Sequence, residues 1–192
     1  MINTKDFIQM KKEIDTYDSQ RELLIKKARD VIRMSKKIIY SVHREDMKSA
    51  KKAVDDIKKS VVQLNKFTKN HAKLYFEGSY KAAIQEYVEA LLFYYFMDKG
   101  KILTRKELGV ETNYYLLGIC DLTGELGRVA VNSATKGKTK VALKMKEVVE
   151  LIYGELIKFD FRNGEIRRKY DSIKHDLHKL ENLCFELKMR KK

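Results

Sequence analysis

Apolar side chains recur at three- and four-residue intervals along most of the chain, with lysine and arginine between them. That is the period of an amphipathic helix. From about Asp6 to His43 the spacing is kept by Ile14, Tyr17, Leu24, Ala28, Val31, Ile32, Ile38 and Ile39. A second helix is predicted from about Glu45 to Thr68, with Met47, Ala50, Val54, Ile57, Val61 and Leu64 on one face. A third runs from about Ala72 to Met97 and stops before Gly100. The connection DKGKILTRKELGV leads to a fourth, from about Asn113 to Thr135, which ends at Lys136–Gly137, where glycine is the natural stop. A fifth covers about Lys140 to Phe159, Asn163–Gly164 marks a turn, and the last helix runs from about Glu165 to Met189. The chain has no Pro and only 9 Gly, too few turn formers for a β-sandwich or barrel of 192 residues. The expected fold is all-α, an antiparallel multi-helix bundle. With no internal repeat and no Pro- or Ser-rich linker, residues 1–192 read as a single helical domain.

The third and fourth helices stand apart. From Ala82 to Met97 every residue is apolar or Tyr except Gln85, Glu86 and Glu89. A helix that is apolar all round is buried, and a carboxylate buried there costs several kcal/mol unless something compensates it. In the fourth helix Asp121, Glu125, Arg128 and Asn132 fall at i, i+4, i+7 and i+11, one polar stripe on an otherwise apolar rod. Gly118, Gly124 and Gly127 share that helix; each costs it about 1 kcal/mol against Ala. A closely packed neighbouring backbone would account for them.

Charge adds a partner class. Lys and Arg number 41 against 27 Asp and Glu, a net charge of +14. A polyanion is the expected partner, nucleic acid first and an acidic membrane surface second. The longest apolar run, Ala90 to Met97, is too short to span a bilayer, and the N-terminus is charged too early for a signal peptide. Two Cys, Cys120 and Cys184, make neither a disulfide scaffold nor a cysteine zinc site. A cytoplasmic protein without membrane contact is expected.

Glu86 and Glu89 point to one side of the third helix, and Asp121 and Glu125 to one side of the fourth. Packed face to face, the two helices would gather four carboxylates. Four such anions repel and several take protons, unless a hard divalent cation, Mg²⁺ or Mn²⁺, is held between them. An acidic metal pocket in a basic exterior suits phosphodiester hydrolysis. The bland alternative is equally weighted: Glu86 and Glu89 pair with Lys or Arg of neighbouring helices, and Arg128 neutralises Glu125. A di-iron centre needs Glu-x-x-His, and His43, His71, His175 and His178 have no such offset. Basic clusters such as Lys36–Lys37, Arg167–Arg168–Lys169 and Arg190–Lys191–Lys192 read mostly as solvated faces. Tyr75, Phe76 and Tyr80 interleave with Lys69, Lys73 and Lys81, a pattern compatible with single-strand stacking or with plain core packing.

The segments QEYVEA (Gln85 to Ala90) and YYLLGICDLTGELGRVAVNSATKG (Tyr114 to Gly137) resemble the two hallmark segments of the translin superfamily, and RRKYDSIKHDLHKLENLCFELKMR (Arg167 to Arg190) resembles its last helix. Within that family, translin lacks the acidic pair of the third helix, whereas the translin-associated factor X (TRAX) branch carries it. Glu86, Glu89, Asp121 and Glu125 all match the TRAX pattern. The chain lacks the long N-terminal extension and the long insertion before the fourth helix of eukaryotic TRAX, as compact archaeal members do. The resemblance implies a bundle of about seven helices, a homo-oligomer forming a hollow octameric shell, and a Mg²⁺-dependent endoribonuclease that cleaves single-stranded RNA, with single-stranded DNA as a second candidate. It makes Glu86, Glu89, Asp121 and Glu125 the metal-holding catalytic set, with Asp121 a candidate general base. Lys73, Lys81 and Arg128 are the candidate nucleic-acid contacts; Lys81 alone stands at a basic position of translin. A non-catalytic nucleic-acid-binding assembly protein is the alternative function.

Overall fold

The computed structural model describes residues 2–189, so the basic cluster Arg190–Lys191–Lys192 lies outside the described residues. Among them the chain forms seven α-helices, one 3-10 segment and no strand, the all-α class expected. The helices are α1 (Thr4–His43), α2 (Met47–Asn70), α3 (Gly78–Lys99), α4 (Arg105–Leu108), α5 (Thr112–Thr135), α6 (Thr139–Leu156) and α7 (Glu165–Met189). Asn3 caps α1, its side chain accepting from the Lys5 and Asp6 amides, and Asp46 caps α2 by accepting from the Ser49 amide.

Two predicted boundaries shift. The third predicted helix is interrupted: Ala72–Phe76 form a 3-10 segment, Glu77 is extended (φ −66°, ψ 137°), and α3 begins at Gly78. The Glu77 carboxylate accepts from the Tyr17 hydroxyl and, at 2.9 Å, from Arg21 Nε, both on α1. That anchor holds the chain in the extended conformation that breaks the helix. The connection after α3 also contains a helical turn, α4, closed by a capping box between Thr104 and Glu107.

Side-chain pairs fix the helix directions. Tyr80 meets Tyr114, and Gln85 meets Asp121, so α3 and α5 run parallel. Lys58 meets Tyr95 while Asn65 meets Tyr80, so α2 runs against α3. The connection from Gly100 to Glu111 therefore returns along the bundle to the end where α3 began, and the Leu103 carbonyl accepts from the Tyr115 hydroxyl on the way, at 2.9 Å. Core side chains such as Leu24, Ile38, Ile57, Leu91, Phe93, Leu122, Leu126 and Ile173 are fully buried and belong to one contiguous cluster.

The core stripe of α1 is shorter than its sequence period. Ile14, expected on the core face, is 60 % exposed, and so to a similar degree are Phe7 and Ile8. Among the described residues no α1 residue before Tyr17 packs on the core cluster, and the neighbour along Gln9 to Tyr17 is the 3-10 segment. The glycines of α5 divide in the same way. At Gly118 a Cβ would stand 2.5 Å from the Val88 side chain and 3.1 Å from the Glu89 backbone nitrogen, so this glycine lets α3 and α5 touch. Gly127 faces open space, and Gly124 has only an Asp176 oxygen within reach, at 3.9 Å. Close packing explains one of the three.

Candidate functional site: a carboxylate cluster between α3 and α5

The contact at Gly118 places Glu89 against the stripe of α5. Glu86, Glu89, Asp121 and Glu125 are all half-buried there. Their mutual influence shows that they share one neighbourhood. The Glu89 carboxyl is pushed up to about 8, first by burial and then by the charges of Asp121, Glu86 and Glu125, with Lys169 opposing. Glu86 is also raised, chiefly by burial, with Lys36 and Lys169 pulling it down and Asp121 and Glu125 adding to the rise. Among the described residues neither Glu86 nor Glu89 makes an ion pair or a side-chain hydrogen bond.

Asp121 and Glu125 are engaged. Asp121 accepts from Gln85 Nε2 at 2.7 Å, and Lys169 of α7 donates to its other oxygen. Glu125 is joined by His43 Nε2, from the last residue of α1, whose side chain is almost wholly buried. Arg128 lies 4.0 Å from Glu125 and is largely exposed, so His43 holds the place expected of Arg128. Among the described residues the ion pairs expected of Glu86 and Glu89 in that alternative are not formed, and Arg128 meets Glu125 only at 4.0 Å, beside the closer His43. Cys120, the next residue to Asp121, stays a thiol: burial first, then Asp121, pushes it up to about 12.

Sequence reasoning missed Gln85, Lys169 and His43 as members of the site. Lys169 read as part of a solvated cluster, and His43 as a stray histidine. The only signal for Gln85 was its place as the third polar residue of an apolar helix. The candidate nucleic-acid contacts are not gathered. Lys73 is exposed on the 3-10 segment beside Tyr17, Lys81 lines a cavity at the start of α3, and Arg128 edges another between α5 and α7.

Four carboxylates are an all-oxygen donor set suited to a hard divalent ion. Two of them are half-buried without a cation of their own, which is the deficit such an ion would correct. Among the described residues no three His, Cys, Asp or Glu side chains stand together in ligating positions, and Asp121 and Glu125 are engaged by Lys169 and His43. The donor chemistry fits such an ion, and Lys169 stands on one of the Asp121 oxygens it would need.

The fold and site together define a class: an all-α bundle with a shared acidic cluster between two parallel apolar helices. The Translin family model matches residues 19–191, and the chain belongs to that family. It is TRAX-like. Translin-associated protein X of Rattus norvegicus is 24 % identical over 226 residues, covering 96 % of this chain and 78 % of that protein. The crystal structure of apo-NeC3PO superposes with a TM-score of 0.87 at 30 % identity, covering 97 % of this chain and 98 % of that one. AfC3PO in complex with duplex RNA gives a TM-score of 0.82 at 25 % identity, covering 96 % and 97 %. No helix among the described residues is long and apolar enough to cross a membrane.

Proposed function

We propose that the chain is an RNA-binding, divalent-metal-dependent endoribonuclease that works as a homo-oligomer. The observation that carries this reading is the pair Glu86 and Glu89, half-buried, without an ion pair among the described residues, and close enough to Asp121 and Glu125 to be raised by their charges. The RNA bound in the AfC3PO structure supports the ligand class, and the net charge of +14 suits a phosphate backbone. Glu86, Glu89, Asp121 and Glu125 would hold Mg²⁺ or Mn²⁺. When bound, such an ion supplies charge neutralisation and Lewis-acid polarisation of phosphate oxygens. Gln85 fixes one oxygen of Asp121 and His43 orients Glu125. Asp121 is our candidate to take the proton of the attacking water. Lys169, which donates to Asp121, would supply a positive charge at the edge of the cluster.

The exposed apolar turns of α1, with Phe7, Met10 and Ile14 at i, i+3 and i+7, support assembly of several copies. A closed octameric shell is the form we propose. One observation favours the alternative, a non-catalytic RNA-binding assembly protein: Lys169 already neutralises Asp121. Turnover separates the two. Labelled single-stranded and duplex RNA are incubated with the protein in Mg²⁺ and in EDTA. The expected result is internal cleavage of the single strand in Mg²⁺ alone. Binding without cleavage under any divalent ion would establish the alternative.

A further inference from the structure

Near the carboxylate cluster is a cavity that the proposed reaction leaves unused. At the end of the bundle where α3, α5 and α7 begin lies a space of about 490 Å³. Its aromatic walls are Tyr75 and Phe76 from the 3-10 segment, Tyr114 from α5, and Phe161 from the connection before α7. Lys81 and Arg162 stand at its edge, offset by Glu111 and Glu165.

Its register against the acidic cluster is similar on three helices. Lys81 lines the cavity four residues before Gln85, Leu117 four before Asp121, and Ile166 three before Lys169. Each interval is one helical turn, about 5.4 Å. The cavity therefore lies about one helical turn from the residues that hold the carboxylate cluster. Phe76 is 72 % exposed and sits edge-on to Tyr75 with ring centroids 5.5 Å apart. A large aromatic ring held in solvent at the mouth of a cavity has an open face for a partner.

We propose that this cavity is a nucleobase-binding subsite, which takes the base of a nucleotide adjoining the phosphate at the carboxylates. It deepens the RNA reading above and rests on it. The volume is within the range of small-molecule sites, roughly 300–1,000 Å³. Aromatic faces accept any base by stacking. Because Glu111 and Glu165 balance Lys81 and Arg162, the base and not the phosphate is the group the cavity selects. Asn113 and Glu111 offer an amide and a carboxylate to the edge of that base.

The test is binding of a single-stranded RNA oligomer carrying one 2-aminopurine, in EDTA so that no cleavage intervenes. Wild-type protein is expected to bind it and quench the 2-aminopurine fluorescence. Phe76→Ala should weaken binding about tenfold and remove most of the quenching, the usual effect of deleting a stacking ring. Phe76 is exposed, so its loss should not unfold the protein. Phe185→Ala, on an exposed ring of α7 outside the cavity, should change neither signal. Wild-type affinity and quenching in Phe76→Ala would overturn the subsite and leave the RNA reading standing. A smaller particle by light scattering, with quenching unchanged, would overturn it by assigning the cavity to contact between copies. A wild-type protein without affinity for the oligomer would overturn both.

Discussion

Glu89→Gln is expected to lower Mg²⁺-dependent RNA cleavage at least about a hundredfold while RNA binding in EDTA stays near wild type. Asp121→Asn should do the same. Each substitution keeps the shape of its side chain and removes the negative oxygen that a hard cation or a proton needs; losses of this size are typical when an acid–base or metal-holding group is removed. Neither should disturb the fold. Glu89 makes no ion pair, and the amide oxygen introduced by Asp121→Asn can still accept a hydrogen bond from Gln85 or Lys169. Single-turnover cleavage of a labelled single strand measures the first effect and fluorescence anisotropy the second. Wild-type cleavage by either variant would remove the cluster from the chemistry.

The second large effect is on stability. Burial and three neighbouring carboxylates raise Glu89 to about 8 in the folded chain, against 4.5 for a free glutamate. Between those values the folded state holds a proton that the unfolded state has released. Stability from this group is therefore full below about pH 4.5 and is lost as pH rises through 8. The change is on the order of 5 kcal/mol. The lowered carboxyl of Glu107 acts in the opposite sense and at more acid pH: it lies at about 2, held down by Lys101 and then by the Thr104 amide and hydroxyl. The window from 4.5 to 8 thus belongs mainly to Glu89, with the raised Glu86 acting in the same direction. Urea unfolding in EDTA at about pH 5, 6.5 and 8 should show wild type losing stability across the series relative to Glu89→Gln. Mg²⁺ or Mn²⁺ should restore wild type at the alkaline end and leave Glu89→Gln little changed. Parallel profiles for the two proteins would show that Glu89 is not held in an acidic neighbourhood.

Much of this site was readable from side-chain period. Asp121, Glu125 and Arg128 form a stripe because of their spacing alone, and Glu86 and Glu89 were conspicuous in a helix with almost no other polar residue. Their juxtaposition followed from pairing the two apolar helices, and Gly118 is where that pairing is closest. The partners of the carboxylates were not readable. His43 and Lys169 come from helices α1 and α7, 82 and 48 residues away from the groups they meet, and no local pattern encodes such a contact. The break at Glu77 is equally non-local, since Tyr17 and Arg21 of α1 impose it. The exposure of Ile14 depends on where the other helices end, which the period of α1 does not contain.

Crystals soaked in Mn²⁺ and read for anomalous scattering test the central claim most directly. The account predicts a peak between α3 and α5 at the carboxylates of Glu89 and Asp121, with the Lys169 amine withdrawn from Asp121. Lys169 still joined to Asp121, and no peak between the two helices at saturating Mn²⁺, would contradict it.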